Sequence, residues 1–420
     1  MASLQEAVVK GLATDRGLFM PMTIKPLPQE FYDTIDTLSF QEIAYRVADA
    51  FFGIPADILK QIVYDTLSFD VPLVKVTDNI YSLELFHGPT LAFKDVGGRF
   101  MARLLGYFIK KEGQKDVNVL VATSGDTGSA VANGFLGVEG IHVYVLYPKG
   151  KVSEIQEKQF TTLGQNITAL EVDGTFDDCQ ALVKAAFMDK ELNEHLSLTS
   201  ANSINVARFL PQAFYYFYAY AQLKRAGKAD NAVICVPSGN FGNITAGLFG
   251  KKMGLPVKRF IAANNRNDIF YQYLQTGKYN PRPSVATIAN AMDVGDPSNF
   301  ARVLDLYGGS HADISAEISG TTYTDEQIRE TVKETWKEHH YLLDPHGACG
   351  YRALQEGLKQ GETGVFLETA HPAKFLETVE SIIGEAVEIP AKLQEFMKGE
   401  KKSLQMTKEF ADFKKYLLSV

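Results

Sequence analysis

From about residue 73 onward, short apolar runs alternate with glycine-containing loops and helix-forming segments. The apolar runs at 117–122, 142–147 and 232–236 have the length and composition of buried strands. Strands that alternate with helices form parallel sheets that are covered by helices on both faces. Ligands bind to such sheets at the C-terminal ends of the strands, where the glycine-containing loops lie. The pattern therefore predicts an α/β fold with its functional residues in these loops.

The two ends of the chain lack this alternation. Residues 1–72 contain helix start signals; for example, Ser39 stands three residues before Glu42, and apolar residues follow at helical spacing. Beyond residue 390 the sequence predicts a short helix, a polar link over 399–403 and a last helix. We therefore expect a helical N-terminal piece and a helical C-terminal extension.

The composition excludes several classes of protein. The chain has 420 residues, enough for two domains, and its 50 acidic and 42 basic residues give a net charge of −8. This acidic balance argues against a nucleic-acid or anionic-membrane partner. The cysteines and histidines form no metal-binding motif, so no metal site is predicted. The odd number of cysteines and the absence of a signal-peptide pattern predict a cytoplasmic location.

Two glycine-containing loops follow predicted strands. The loop 237–243, with the sequence PSGNFGN, is either a phosphate-binding loop at the start of a helix or a plain tight turn. The loop 123–128, with the sequence TSGDTG, is suited to hold a carboxylate through its N–H groups and hydroxyls. The alternative for this second loop is a helix cap made by Asp126 or Thr127.

Lys94 lies between the apolar residues 91–93 and a predicted helix that begins at Asp95. Apolar surroundings and the positive end of a helix both disfavour an ammonium group, so we expect a lowered pKa and an amine suited to Schiff-base chemistry. A solvated surface lysine is the alternative. The segment 200–208 places Asn and Ser residues and Arg208 before an apolar helix. This set suits an anionic group but is also common at helix starts.

Together these segments resemble one family, the threonine synthases, which are pyridoxal-phosphate-dependent enzymes of fold type II. The matching motifs are LELFHGPTLAFKDVGGRFMA (83–102), ATSGDTGSAVA (122–132), SANSINVARFLPQ (200–212), VPSGNFGNITAG (236–247) and ETAHPAKF (368–375). The resemblance runs in order from near residue 3 to at least residue 385, and it is closest to the longer bacterial and fungal enzymes. It implies two parallel-sheet α/β domains, as in the tryptophan synthase β chain, with a helical N-terminal piece.

The resemblance also implies the domain organisation. We expect a helical N-terminal subdomain over 1–72 and a large cofactor-binding α/β domain over 73–100 and 205–385. A smaller α/β domain over 101–204 is expected to move over the cofactor and to control water. Residues 386–420 are expected to form the C-terminal helical extension.

Each matched residue acquires an implied role. Lys94 matches the catalytic lysine that holds pyridoxal 5'-phosphate as a Schiff base, and Thr369 matches the hydroxyl that faces the pyridine nitrogen. The cofactor phosphate is expected at Gly239, Asn240, Phe241, Gly242 and Asn243. The substrate carboxylate is expected at Ser124, Gly125 and Thr127, and the substrate phosphate at Asn202, Ser203, Asn205 and Arg208. Asp126 is expected beside the phenolic oxygen of the cofactor, where many relatives have Asn and where a carboxylate needs compensation.

The implied reaction is γ-elimination of phosphate from O-phospho-L-homoserine, followed by addition of water at Cβ to give L-threonine. This is the last step of threonine biosynthesis from aspartate. The expected partner is this small-molecule substrate, with no nucleic acid or membrane, and the expected oligomeric state is a monomer.

Other functions remain open. Another fold type II lyase such as a threonine dehydratase would share Lys94 and the loop 237–243, but it would not need Asn202, Ser203 and Arg208 for a substrate phosphate. A non-catalytic sensor of phosphorylated amino acids and a bare phosphate-binding module are two further alternatives. The presence of Lys94 and Thr369 weighs against both.

Overall fold

The computed structural model describes residues 1–113 and 116–420. The strands are β1 (Leu73–Lys75), β2 (Ile80–Glu84), β3 (Val117–Ala122), β4 (Ile141–Pro148), β5 (Ile167–Val172), β6 (Ser197–Ser200), β7 (Ala232–Pro237), β8 (Arg259–Asn264), β9 (Ile318–Thr322), β10 (Thr363–Glu368) and β11 (Leu404–Met406). This part of the chain divides into two compact units.

The α-helices are α1 (Leu4–Lys10), α2 (Gln29–Thr34), α3 (Phe40–Asp49), α4 (Ala56–Thr66), α5 (Lys94–Glu112), α6 (Asp126–Phe135), α7 (Glu154–Thr161), α8 (Phe176–Met188), α9 (Lys190–His195), α10 (Val206–Phe209), α11 (Ala213–Arg225), α12 (Gly242–Lys252), α13 (Ile269–Thr276), α14 (Phe300–Leu306), α15 (His311–Glu317), α16 (Asp325–His339), α17 (Pro345–Gly357), α18 (Leu376–Ile383), α19 (Ala391–Lys398) and α20 (Phe410–Leu417). Among the described residues, none of these helices has the length and apolar composition needed to span a membrane.

One unit comprises residues 20–93 and 209–388. Its six-stranded sheet has the order β1–β2–β10–β7–β8–β9, in which β1 is antiparallel to β2 and the other neighbours are parallel. Every residue of β7 and β10 is buried, as expected for central strands covered on both faces. The loop 237–243 and Thr369 therefore follow the C-terminal ends of two adjacent central strands.

The other unit comprises residues 1–19, 94–208 and 389–420. Its five-stranded sheet is parallel throughout, in the order β11–β5–β4–β3–β6. All six residues of β3 are buried, and the strand leads into the loop that begins at Thr123. The predicted α/β class with two parallel sheets is confirmed.

The C-terminal extension is not purely helical. Directly after the predicted polar link over 399–403, residues 404–406 form β11 and pair with β5 in parallel register. The unit boundaries lie at 19/20, 93/94, 208/209 and 388/389. The predicted domain boundaries were 72/73, 100/101, 204/205 and 385/386. The movement of the smaller domain stays a prediction.

Hydroxyl side chains cap the starts of several helices, including the start predicted at Ser39. Ser39 Oγ accepts the Glu42 N–H at 3.1 Å at the start of α3. Thr324 and Gln327 form a reciprocal capping box at the start of α16. Each cap provides an acceptor for an N–H group that has none within its helix.

An ion-pair cluster joins the N-terminal ends of β8 and β10. Arg259 Nη2 lies 2.7 Å from Glu362 Oε2, and Lys258 Nζ lies 3.0 Å from Glu362 Oε1. The hydrogen bond from Arg259 is the main cause that lowers the pKa of Glu362 to about 2. The folded protein therefore holds this carboxylate ionised at a pH where the unfolded chain would protonate it.

We expect Glu362→Gln to lower the unfolding free energy at neutral pH by on the order of 2 kcal/mol. The contribution of Glu362 is present above its ordinary pKa of 4.5 and is lost as the pH falls toward about 2. Urea unfolding of both proteins at pH 7 and pH 3 measures it. The difference between wild type and variant should shrink at pH 3, and an equal difference at both pH values would contradict the ionic role.

Candidate active site

A left-handed residue connects β7 to the N-terminus of α12. Phe241, the residue before the helix, has φ 66°, and no side chain caps the helix. The first N–H groups of a helix have no acceptor within it, and the helix dipole favours an anion at this end. The helix begins at Gly242, within the predicted loop 237–243. The turn is therefore suited to a phosphate.

A segment from elsewhere in the same unit covers the turn. A Cβ on Gly239 would lie 2.6 Å from the carbonyl oxygen of Ala291, so only glycine permits this approach. Asn240 Oδ1 accepts the Ser298 N–H at 2.7 Å. The carbonyl oxygen of Asn240 accepts the N–H of Asn299 at 3.3 Å and its Nδ2 group at 3.1 Å. These bonds determine how the turn faces a ligand.

Asn243 carries a buried donor in the first turn of α12. Its Oδ1 accepts the Tyr216 hydroxyl at 2.8 Å. Its Nδ2 is buried and finds no acceptor in the part of the chain that the structure describes. A buried donor without an acceptor is costly, so a ligand oxygen at this position would relieve the cost.

Thr369 follows β10 directly and is bonded to the segment that leads into Lys94. Its carbonyl oxygen accepts the Phe93 N–H at 2.8 Å, and the Leu91 carbonyl oxygen accepts the His371 N–H at 3.0 Å. Lys94 is the next residue after Phe93. The bond between Phe93 and Thr369 therefore links the end of β10 to the residue that precedes the lysine.

Further bonds hold this segment in a strained conformation. Leu91 has a left-handed backbone with φ 58°, which is unfavourable for a leucine and persists only where the surrounding structure holds it. The buried Lys374 donates from Nζ to the Thr90 carbonyl oxygen at 2.8 Å. The Tyr215 hydroxyl donates to the Phe93 carbonyl oxygen. The backbone before Lys94 is therefore held on several sides.

Arg208 packs against the first turn of α5, which begins at Lys94. Its Nη1 donates to the Lys94 carbonyl oxygen at 3.4 Å, and its Nε donates to the Ala201 carbonyl oxygen at 2.8 Å. A Cβ on Gly97 would lie 2.3 Å from both Nη1 and the carbonyl oxygen of Arg208. The guanidinium is buried, whereas the Lys94 side chain is half-buried. The structure thus brings these two predicted site residues together.

The hydroxyl of Thr123 organises the loop after β3. Thr123 Oγ1 accepts the N–H groups of Gly125 at 2.9 Å and Gly128 at 2.8 Å. The alternative of a cap made by Asp126 or Thr127 is wrong, since α6 begins at Asp126 and the residue before it is Gly125. The first-turn N–H of Gly128 is instead capped by the Thr123 hydroxyl. The positive end of the helix dipole at this start is suited to a carboxylate.

Gln156 was not predicted, yet it completes this loop. Its Nε2 donates to Asp126 Oδ1 at 3.0 Å, and a Cβ on Gly125 would lie 2.5 Å from its Cδ. Asp126 is buried, while Ser124 and Thr127 are half-buried. Ser153 caps α7 three residues before Gln156, a signal that predicts the helix but not the contact with Asp126.

The segment 202–205 has one residue whose role differs from the prediction. Asn205 Nδ2 donates to the carbonyl oxygens of Val8 at 2.9 Å and Ser200 at 3.1 Å. Both of its amide hydrogens are therefore used within the protein, and Asn205 holds the segment instead of offering a donor to a phosphate. Asn202 Nδ2 donates to the carbonyl oxygen of Ala122 at 2.9 Å.

A buried cluster beside Thr369 was also missed. Glu368 Oε1 accepts the Asp344 N–H at 2.6 Å. His346 Nε2 accepts the Ala291 N–H at 3.1 Å, so its proton is on Nδ1, which donates to Asp344 Oδ2 at 2.5 Å. Burial and the nearby Asp344 carboxylate raise the pKa of Glu368 well above its usual range. No local pattern links residues so far apart.

Comparisons with known proteins match the chain from end to end. The model of the threonine synthase N terminus matches residues 1–67, that of pyridoxal-phosphate-dependent enzymes residues 71–369, and that of the threonine synthase C-terminal region residues 347–417. A threonine synthase of Haemophilus influenzae is 46% identical over 418 residues, which are 99% of this chain and 96% of the relative.

Solved structures agree with this result. The crystal structure of threonine synthase from Escherichia coli has a TM-score of 0.94 at 45% identity and covers 100% of this chain and 97% of its own. A pyridoxal-phosphate-bound threonine synthase from Brucella melitensis has a TM-score of 0.91 at 36% identity and covers 99% and 96%. The predicted fold type II architecture and cofactor are confirmed, and the chain belongs to the threonine synthase family of pyridoxal-phosphate-dependent enzymes.

Proposed function

We propose that this protein converts O-phospho-L-homoserine and water into L-threonine and inorganic phosphate. The observation that carries the proposal is the anchored turn at Lys94. Arg208 donates to the Lys94 carbonyl oxygen, and Phe93, the preceding residue, is bonded to Thr369. These bonds join three of the motifs that resemble the family. They fix the backbone from which the Lys94 side chain extends, and a fixed backbone restricts where its amine can reach.

Pyridoxal phosphate is the cofactor of the family, and the residues present fit it. The uncapped start of α12 and the buried amide of Asn243 offer donors for its phosphate. The half-buried Lys94 offers an amine for its aldehyde. When bound, the cofactor withdraws electrons from the substrate and stabilises negative charge on its carbon atoms. We assign the phosphate to Gly239, Asn240, Phe241, Gly242 and Asn243.

The proton-transfer role is assigned to Lys94. Its neutral amine removes the Cα proton of the substrate and later returns a proton to Cα. The Thr369 hydroxyl is a neutral partner for the pyridine nitrogen, and it leaves that nitrogen largely unprotonated. Asp126 is assigned to the phenolic oxygen of the cofactor, and the hydrogen bond from Gln156 supplies part of the compensation that its carboxylate requires.

The substrate carboxylate is assigned to Ser124, Gly125 and Thr127. This is supported by the start of α6, a helix of ten residues whose dipole favours an anion at this end. The substrate phosphate is assigned to Asn202, Ser203 and Arg208. This is supported by the match between a guanidinium and phosphate geometry, and by the hydrogen bond from Arg208 to the backbone of Lys94.

The test is chiral amino-acid analysis after incubation of the protein with pyridoxal phosphate and O-phospho-L-homoserine. We expect L-threonine and an equal amount of inorganic phosphate. Phosphate with 2-oxobutyrate and no threonine would mean elimination without hydration. If protein with bound cofactor shows no turnover, the substrate assignment is wrong and a dehydratase becomes the favoured function. Assays with L-serine and L-threonine as substrates would then test the dehydratase.

We further propose a cytoplasmic monomer. The odd number of cysteines and their lack of a metal-binding spacing support a reducing compartment. Light scattering of the purified holoenzyme measures the oligomeric state. A mass twice that of the chain at micromolar concentration would contradict the monomer.

Gly239→Ala is expected to weaken pyridoxal phosphate binding by about 10-fold or more. The added Cβ would lie 2.6 Å from the Ala291 carbonyl oxygen and 2.9 Å from Met292 Cα, so the turn before α12 must shift. Absorbance titration of the apoenzyme with the cofactor measures the affinity. Gly53→Ala is the control, because nothing lies within 4 Å of its added Cβ. An unchanged affinity in the Gly239 variant would contradict the assignment of this turn.

A further inference from the structure

We propose that Arg302 is a positioning residue for the cofactor phosphate, and that it acts through Asn299 on the peptide between Asn240 and Phe241. The inference rests on the proposed function, because it presupposes that this turn binds the phosphate. Arg302 does not belong to any of the motifs that resemble the family, and it has no role in the mechanism above.

Arg302 is a buried cation next to the covering segment of the turn. Its side chain is fully buried in α14. Its Nη1 donates to Asn299 Oδ1 at 2.6 Å. Its Cζ lies 4.1 Å from the centroid of the Phe209 ring, a cation–π contact. The guanidinium is therefore held both by the face of the Phe209 ring and by the hydrogen bond to Asn299, so it has little freedom to move.

The contact with Arg302 determines the orientation of the Asn299 amide. A guanidinium only donates hydrogen bonds, so the atom that faces it must be the amide oxygen. The amide nitrogen must then face the other way, and there Nδ2 donates to the Asn240 carbonyl oxygen at 3.1 Å. Asn299 is fully buried, so water does not offer it an alternative partner. Loss of Arg302 would remove this constraint.

The Asn240 carbonyl in turn determines the direction of the Phe241 N–H. The peptide between them is planar and trans, so its C=O and N–H groups point to opposite sides. Because Asn299 holds the carbonyl, the N–H of Phe241 points away from Asn299. Rotation of this peptide plane would change φ of Phe241, which is 66° and unfavourable for a residue with a side chain. The Arg302–Asn299 pair therefore stabilises the conformation that presents this N–H group.

The Phe241 side chain resists any alternative conformation. It is buried, and its ring centroid lies 4.7 Å from that of Phe270. A rotated peptide would have to keep this ring in place while it lost the bonds to Asn299. The positive charge of Arg302 also favours an anion at the turn it supports, since burial weakens the screening of that charge.

The test compares the pyridoxal phosphate affinity of apoenzyme variants. Arg302→Met and Asn299→Ala should each weaken the affinity by about 10- to 100-fold, and Arg302→Lys should weaken it less. The double variant should bind pyridoxal phosphate about as tightly as the single variant with the lower affinity, because both substitutions break the same chain of contacts. The phosphorus NMR signal of the bound cofactor should move in each variant. Arg259→Met is the matched control. Arg259 also forms an ion pair, with Glu362, but it lies at the N-terminal end of β8, at the opposite edge of the sheet from the turn.

The outcomes separate the possible explanations. If Arg302 has a purely structural role, Arg302→Met and Arg302→Lys will lower the stability of the apoenzyme and leave its cofactor affinity unchanged. That result would overturn the inference. Fully additive losses in the double variant would also overturn it. If Arg302→Met does not fold, Asn299→Ala and Arg302→Lys still decide the question. A wild-type protein that binds no cofactor or makes no threonine would instead overturn the proposed function.

Discussion

Lys94→Ala is expected to lower threonine formation by at least about 10³-fold. The variant lacks the amine that exchanges protons at Cα, and nothing on alanine replaces it. The turn itself should persist, because its anchors use the backbone: Arg208 donates to the carbonyl oxygen of residue 94, and Thr369 accepts the Phe93 N–H. The variant should therefore fold with a near-normal melting temperature. The production rate of L-threonine and inorganic phosphate measures the loss.

A chemical readout separates this role from a general defect. Borohydride reduction of the wild-type holoenzyme should leave a pyridoxyl group on the peptide that contains Lys94, and mass spectrometry should find none on the variant. Lys10→Ala is the control, because Lys10 is exposed and forms an ion pair with Glu6 on the surface of α1. A Lys94 variant that keeps more than about a tenth of the wild-type rate would refute the proton-transfer role.

Gly347→Ala is expected to destabilise the protein by at least about 3 kcal/mol. A Cβ on Gly347 would lie 1.5 Å from Glu368 Oε2, far inside van der Waals contact. Glu368 is fully buried and its other oxygen accepts the Asp344 N–H, so it has no room to move aside. Asp344 Oδ1 also accepts the Gly347 N–H at 2.7 Å, so the start of α17 would be disturbed. Urea unfolding measures the loss.

Two further variants test this explanation. Gly357→Ala, in the same helix, should be tolerated, because its added Cβ meets only Ile261 Cδ1 at 3.5 Å. Combining Gly347→Ala with Glu368→Ala should destabilise the protein less than the sum of the two single variants, since the second substitution removes the clashing oxygen. Strict additivity would mean that the collision with Glu368 is not the cause.

Much of the fold could be predicted from local patterns. The buried runs that form β3 and β7, the glycine turns after them and the capped start of α16 all depend on residues that are neighbours in sequence. β11 shows the limit of this approach. It has three residues, two of them exposed, and it is a strand because it pairs with β5 from far along the chain. Its own composition carries almost no information about that pairing.

The candidate site divides in the same way. Lys94 and the two glycine loops carry their chemistry in residue type and local spacing, so they could be proposed before the structure was known. Thr369 could be proposed only through the resemblance of its motif to the family. Asn205 looked like a ligand by type and proved to be a structural amide, because Val8 and Ser200 use both of its hydrogens.

Gln156 and Asn299 show the opposite case. Each reaches a predicted loop from a distant part of the sequence, through a side-chain amide whose partner no local pattern specifies. Residue type and spacing indicate which groups a loop can bind. The actual partner of a buried donor is decided by packing, because packing brings distant backbone within about 3 Å of the donor only in the folded chain.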